Sequence, residues 1–127
     1  MKALVADDVP MIRKLVEFHL KAIGFDISNA ADGAEAFMLA GSTKFDLILL
    51  DIMMPQMDGL EVLRKVRTET INKDTPVIMM TAYGDSENVR KAVEYGANDF
   101  IVKPVEQISF RKKVVGAVNT KPSEPGK

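Results

Sequence analysis

Four short runs of consecutive apolar residues constrain this chain more than any other feature. They are Ala3-Leu4-Val5-Ala6, Leu47-Ile48-Leu49-Leu50, Val77-Ile78-Met79-Met80 and Phe100-Ile101-Val102. None alternates with polar residues. A strand with one wet face alternates, so unbroken runs of this length fit strands covered on both faces, as in a parallel sheet. Asp26 to Ala30 offers a fifth, weaker strand with Ile27 as its only large apolar residue, and an edge position accounts for that.

The stretches between the runs carry helical periodicity. Ile12, Leu15, Val16, Leu20 and Ile23 share one helix face, and Gly24 is placed to end that helix. Asp32-Gly33-Ala34-Glu35 and Asp58-Gly59-Leu60-Glu61 both read as an acidic N-cap with Glu three residues on. The second opens a helix carrying Leu60, Leu63 and Val66. Asp85 or Ser86 is placed to cap a fourth helix that buries Val89, Ala92 and Val93 and stops at Gly96. A fifth begins after Pro104 and buries Phe110, Val114 and Val118. Alternation of strand and helix makes the class α/β, with right-handed crossovers and five helices around a five-stranded parallel sheet. Residues 1–119 form one domain, and 120–127, with two Pro, one Gly and no large apolar side chain, read as a flexible tail or the start of a linker.

The chemistry lies just beyond the apolar runs, in Asp7-Asp8, Asp51, Thr81 and Lys103-Pro104. In open α/β sheets ligands bind beyond the carboxyl ends of the strands, where strand order reverses. With the flavodoxin-like doubly wound order 2-1-3-4-5, Asp7, Asp8 and Asp51 converge, and Thr81 and Lys103 approach from the next strands. Taken singly, an acidic residue at a strand end is more simply a cap or a solvated loop residue. Four strand ends supplying one compatible chemistry are harder to dismiss. Three carboxylates in one pocket repel, and without a cation at least one should titrate high. Mg²⁺ with a phosphoryl group resolves that repulsion, while Lys103 and Thr81 supply a charge and a hydroxyl donor for phosphoryl oxygens.

Composition narrows the alternatives. Lys and Arg number 17 against 18 Asp and Glu, a net charge of -1, which gives no basic footprint for direct nucleic-acid binding. There is no Cys, and His19 is the only His, so thiolate chemistry and His-rich metal sites are excluded. His19 falls near the apolar face of the first helix and reads as a partly buried packing residue. Met79 and Met80, among eight Met, read as core, and Arg111-Lys112-Lys113 as the solvated face of the last helix. No run approaches the ~18 apolar residues of a membrane span, and no signal-peptide pattern opens the chain. A cytoplasmic protein without membrane association is expected.

The segments LVADD, FDLILLDIMMPQMDG, VIMMTAYGD and GANDFIVKP, with 22 residues from Thr81 to Lys103, resemble the receiver domain of bacterial two-component response regulators. The single-domain chemotaxis regulators are the familiar type. The resemblance covers residues 2 to about 119. It implies that Asp51 accepts a phosphoryl group from a sensor histidine kinase or a histidine phosphotransfer protein. Asp8, Asp51 and the Met53 carbonyl would bind Mg²⁺ directly, and Asp7 would hold a metal-bound water. Lys103 and Thr81 would contact the phosphoryl oxygens, and Phe100 would be the aromatic that turns inward on activation. A cis bond before Pro104 is also implied.

Two departures stand out. Met53 is apolar where several relatives are polar, and Tyr83 is bulky; in similar domains both positions flank the path of the hydrolytic water, so the resemblance implies that phosphoryl lifetime depends on them. No output domain follows the tail, so a downstream effector protein or a missing output domain is expected. Met11 and Phe18 lie off the buried face of the first helix and are expected to dock the phosphodonor. An aspartyl-phosphate phosphohydrolase of the haloacid dehalogenase kind is disfavoured, because position 53 would need a second Asp as general acid. A flavin or nucleotide module would need a Gly-rich loop where Asp8-Val9-Pro10 stands. The expectation is a self-phosphorylating and self-dephosphorylating switch, not an enzyme with external turnover.

Overall fold

The computed structural model describes residues 1–82 and 86–119. Tyr83, the possible cap Asp85 and the tail 120–127 lie outside the described residues. The elements are β1 (Lys2–Ala6), α1 (Pro10–Ala22), β2 (Asp26–Ala30), α2 (Gly33–Ser42), β3 (Leu47–Asp51), α3 (Gly59–Glu69), β4 (Val77–Thr81), α4 (Ser86–Glu94), β5 (Asp99–Val102) and α5 (Gln107–Asn119). All strand pairs are parallel and the order is β2-β1-β3-β4-β5, with the weakly apolar β2 on the edge as expected.

The unbroken apolar runs acquire their meaning here. Successive side chains of a strand face opposite sides, so each run feeds two cores. Leu4, Ala6, Ile48, Leu50, Val77 and Met79 pack beneath α2, α3 and α4 with Ala36, Ala40, Leu63 and Val66. Ala3, Val5, Leu47, Leu49, Ile78 and Met80 pack against α1 and α5 with Val16, Leu20, Phe110 and Val114. Both expected core methionines, Met79 and Met80, are fully buried.

Three expectations are corrected. Leu15 stays 38% exposed, and its place under α1 is taken by His19, whose ring lies 5.7 Å from that of Phe110 on α5. The packing stripe of α1 is rotated toward α5, which sequence periodicity cannot see. Val93 is exposed, because α4 buries only Ala92 and otherwise leans on α3. Lys113 keeps its side chain 40% exposed but is paired as well as solvated: its ammonium reaches the Asp99 carboxylate at 3.3 Å and also donates to the Phe100 carbonyl.

The expected acidic caps form. Asp32 accepts from the Glu35 amide at 2.8 Å and Asp58 from the Glu61 amide at 2.9 Å. The second cap brings α3 hard against the end of β3. Gly59 donates its amide to the Ile52 carbonyl at 2.8 Å, and a Cβ at position 59 would fall 2.1 Å from the Asp51 carbonyl oxygen. At a helix start, propensity alone favours Ala over Gly by up to about 1 kcal/mol. The clash reverses that sign, so Gly59→Ala is expected to destabilise by about 1–3 kcal/mol. Urea unfolding gives the check: a midpoint equal to or above that of the wild type would mean the contact yields easily.

Candidate functional site

Parallel strands deliver the residues at their carboxyl ends to one edge of the sheet. Asp7 follows β1, Asp51 is the last residue of β3, Thr81 is the last of β4, and Lys103 comes directly after β5. The strands run one residue past the apolar runs to include Asp51 and Thr81, which fixes both side chains within the sheet's pleat. Pairing of Ala6 with Leu50 sets Asp7 beside Asp51, and pairing of Asp51 with Met80 sets Thr81 one step farther along.

The three expected carboxylates do converge: ligand atoms of Asp7, Asp8 and Asp51 all lie within 4.8 Å of one another. Asp7 and Asp51 are buried, while Asp8 is exposed. The Lys103 ammonium bridges the buried pair, 2.8 Å from Asp7 Oδ2 and 3.2 Å from Asp51 Oδ2. The peptide bond from Lys103 to Pro104 is cis, as the resemblance implied. Three polar atoms of Asp7 make hydrogen bonds, and its Oδ2 is held by the Lys103 ion pair. Its amide donates to the Ala30 carbonyl at 3.1 Å, and its Oδ1 accepts from the Val9 amide at 2.9 Å. Its carbonyl accepts from Arg13 Nη1 at 2.6 Å. Sequence reasoning misses Arg13; a cation in the first turn of a helix, just after an acidic pair, is the signal that marks it.

Thr81 is buried, and its hydroxyl donates to the Ala82 carbonyl at 3.2 Å. Met53 lies on the β3–α3 loop with its side chain 66% exposed. The same loop turns sharply at Gln56, whose φ of +71° is closed by the Met57 amide donating to the Pro55 carbonyl at 2.8 Å. Phe100, at the expected switch position, is half-buried against the core under α2 to α4. Met11 and Phe18 are 77% and 66% exposed on α1, outside the crevice itself.

The electrostatics are a consequence of this packing. Burial pushes the Asp51 carboxyl above its ordinary value, and the neighbouring Asp7 charge adds to the rise. Lys103 and the Met53 amide, which donates to the carboxylate, pull it back without cancelling the shift. Burial alone would lower the Lys103 pKa, but its bonds and charge attraction to Asp7 and Asp51 outweigh that and raise it. One ammonium against three carboxylates leaves negative charge uncompensated. The donors are all hard oxygens, and one side, at Asp8, opens to solvent, which suits Mg²⁺ with retained waters.

A carboxyl whose folded-state pKa is raised favours folding most when it is protonated, below the unfolded value of about 3.9. That contribution is lost as pH rises through the raised folded pKa. The metal-free Asp51→Asn variant should therefore unfold at higher urea than the wild type at pH 7.5. The gap should close as pH falls below about 4. Parallel urea titrations in EDTA test this, and a variant less stable at pH 7.5 would show that the pair with Lys103 outweighs burial.

Comparison with known proteins agrees with the geometry. The family described as "Response regulator receiver domain" matches residues 3–115. The transcriptional regulatory protein SrrA of Staphylococcus aureus is 44% identical over 101 residues, 80% of this chain and 41% of SrrA, so the chain spans about two-fifths of that relative's length. The chemotaxis protein CheY4 of Vibrio cholerae superposes with a TM-score of 0.85 at 34% identity, over 91% of this chain and 97% of CheY4. A receiver domain of a Francisella response regulator gives 0.83 at 32%, over 92% and 95%. No helix among the described residues is long and apolar enough to cross a membrane. With the fold, the strand-end carboxylates and these likenesses in agreement, the chain belongs to the response regulator receiver family of two-component phosphorelay signalling.

Proposed function

We propose that Asp51 is the phospho-acceptor. The observation that carries this is its carboxylate at the end of β3, 3.2 Å from Lys103 and grouped with Asp7 and Asp8. Of the three carboxylates, Asp7 has both oxygens committed, to the Val9 amide and to Lys103, and Asp8 is exposed beyond the sheet. Asp51 alone combines a fixed position in the strand with a place at the crevice. Its Oδ attacks the phosphorus of a phosphohistidine on a sensor histidine kinase or histidine phosphotransfer protein. The P–N bond breaks, and the imidazole leaves with the electron pair and takes a proton from water. The product is an acyl phosphate on Asp51.

Asp8, Asp51 and the Met53 carbonyl would hold Mg²⁺, with Asp7 placing one of its waters; when bound, the ion neutralises charge on the carboxylates and the phosphoryl oxygens. Lys103 pairs with those oxygens. Thr81 shifts its hydroxyl from the Ala82 carbonyl toward the phosphoryl, and Phe100 turns further inward into the space this opens. That movement changes the surface offered to a downstream effector or output domain. Residues 1–119 form the phospho-acceptor unit. The switch ends when water attacks phosphorus and releases phosphate, so no external substrate turns over. Such phosphodonors are charged from ATP, which places the chain in the cytoplasm. The dehalogenase-type alternative lacks its general acid, because position 53 is Met.

Met11, Leu15 and Phe18 stand at i, i+4 and i+7 on α1 and are all exposed, so they form one apolar stripe. This stripe docks the helices of the phosphodonor. The unexpected exposure of Leu15 fills the gap between Met11 and Phe18 and makes the patch continuous.

Incubation with Mg²⁺ and a small acyl phosphate tests the acceptor. Wild type should gain one acid-labile phosphate and Asp51→Asn none; stoichiometric phosphate on that variant would sink the assignment. The lifetime of the phosphoryl is a separate prediction. Met53 lies two residues beyond Asp51 with its side chain exposed, and a thioether offers an attacking water no effective hydrogen bond. Met53→Asn should lose phosphate about tenfold faster, ~1.4 kcal/mol in barrier. Decay no faster than wild type would show that position 53 does not control the water.

A further inference from the structure

Two features of α1 break the ordinary rules for a helix start. Its N-cap, Val9, has no side chain to bond the free amides, and the first turn holds no acidic residue. Arg13 instead brings a cation to the end of that turn, where the helix dipole disfavours it. Local rules broken together at one point mark a functional constraint more often than an accident. Here the cation faces the acidic crevice, and its Nη1 donates to the Asp7 carbonyl at 2.6 Å.

That carbonyl belongs to the planar peptide joining Asp7 to Asp8. Asp7 is already fixed by the Ala30 carbonyl, the Val9 amide and Lys103. Asp8 is not: it is exposed, and no hydrogen bond or ion pair to its carboxylate is found among the described residues. The backbone therefore sets the Cα–Cβ direction from which the Asp8 carboxylate extends, and the peptide plane leading into it is held by Arg13.

We propose that Arg13 is a positioning residue for the divalent cation. It touches neither the ion nor the phosphoryl group, and acts by clamping the Asp7–Asp8 peptide so that Asp8 points into the crevice beside Asp51. This rests on the metal reading given under Proposed function. A charge-assisted bond to a carbonyl is stronger than a neutral one, and a single contact of this kind can be supplied by Lys as well as Arg.

The test is Mn²⁺ binding by the full chain, read from the free-ion EPR signal, for wild type, Arg13→Met and Arg13→Lys. Urea midpoints of the metal-free proteins are measured alongside. Loss of an outer-shell partner weakens metal binding by about tenfold or more, so Arg13→Met should show about a tenfold higher Kd for Mn²⁺. Arg13→Lys should recover most of the loss, which keeps the proposal testable if Arg13→Met does not fold. With a small acyl phosphate, Arg13→Met should need more Mg²⁺ for half-maximal phosphorylation yet reach the wild-type rate at saturation. A purely structural role would lower the urea midpoint and leave the Kd unchanged. A Kd for Arg13→Met equal to wild type, or Arg13→Lys as weak as Arg13→Met, overturns the proposal. Failure of the wild type to bind Mn²⁺ would instead bring down the metal reading itself, and this proposal with it.

Discussion

The Lys103 ammonium lies between two buried carboxylates, 2.8 Å from Asp7 and 3.2 Å from Asp51, and the carboxyl edge of the sheet is organised around it. Without it, neighbouring strands would end in facing negative charges. A buried ion cluster of this kind is poor evidence of stability, since well-packed apolar residues of the same volume often do as well or better. Removing Lys103 is another matter, because it strands two buried carboxylates at a cost of about 3–5 kcal/mol. The cluster is expensive to disturb without being strongly stabilising. Its presence is explained by chemistry at the sheet edge and not by the needs of the fold.

The amino edge of the same sheet shows the contrast. Asn72 is fully buried and fully used: it donates to the carbonyls of Ala40 at 2.6 Å and Thr43 at 2.8 Å, and accepts from the Phe45 amide at 2.8 Å and Thr75 Oγ1 at 2.9 Å. Arg67 donates to the carbonyls of Lys73, Thr75 and Gly96 and to Asn98 Oδ1, tying the end of α3 to the turns before β4 and β5. A satisfied polar network fixes a structure, whereas a half-satisfied one destabilises it. The amino edge is closed in this way, and the carboxyl edge keeps uncompensated negative charge. Strand ends proposed to bind a ligand can remain under-neutralised because the opposite ends are locked.

Much of the fold and the site is legible in the sequence, and the parts that are not share a cause. Unbroken apolar runs announce strands covered on both sides, and Asp32 and Asp58 announce helix starts through chemistry local to a few residues. Asp7, Asp8, Asp51 and Lys103 can be grouped because parallel strands send their ends to one place whatever the loops do. Leu15 and Val93 depart from expectation because burial on a helix depends on how its neighbours cross it. The α5 helix draws the buried stripe of α1 toward His19, and α4 rests on the core through Ala92 alone. Lys113 looks solvated in the sequence because its partner Asp99 stands on a different element. Arg13 and Asn72 are hidden for a related reason, since both act on main-chain carbonyls, which leave no trace in a side-chain pattern. Periodicity finds faces and strand order finds convergence; neither finds a polar side chain that serves the backbone.

As the proposed phospho-acceptor, Asp51 carries opposed demands. A carboxyl raised above its ordinary pKa by burial and by Asp7 is a better base for protons, and a protonated carboxyl cannot attack phosphorus. Exposing Asp51 fully would remove the shift, but it would also admit water to the acyl phosphate and loosen the strand-end geometry. The fold resolves this by distributing roles over three carboxylates of unequal burial. Asp7 is sealed and pinned, so it sets the field and holds Lys103; Asp8 stands in solvent, where a cation can reach it without crossing an apolar barrier. On the proposed reading, a cation arriving at Asp8 displaces any proton on Asp51, because both compete for the same negative charge. Proton occupancy and cation occupancy then exclude one another. The carboxylate becomes nucleophilic only when the charge needed to stabilise its phosphoryl product is already beside it.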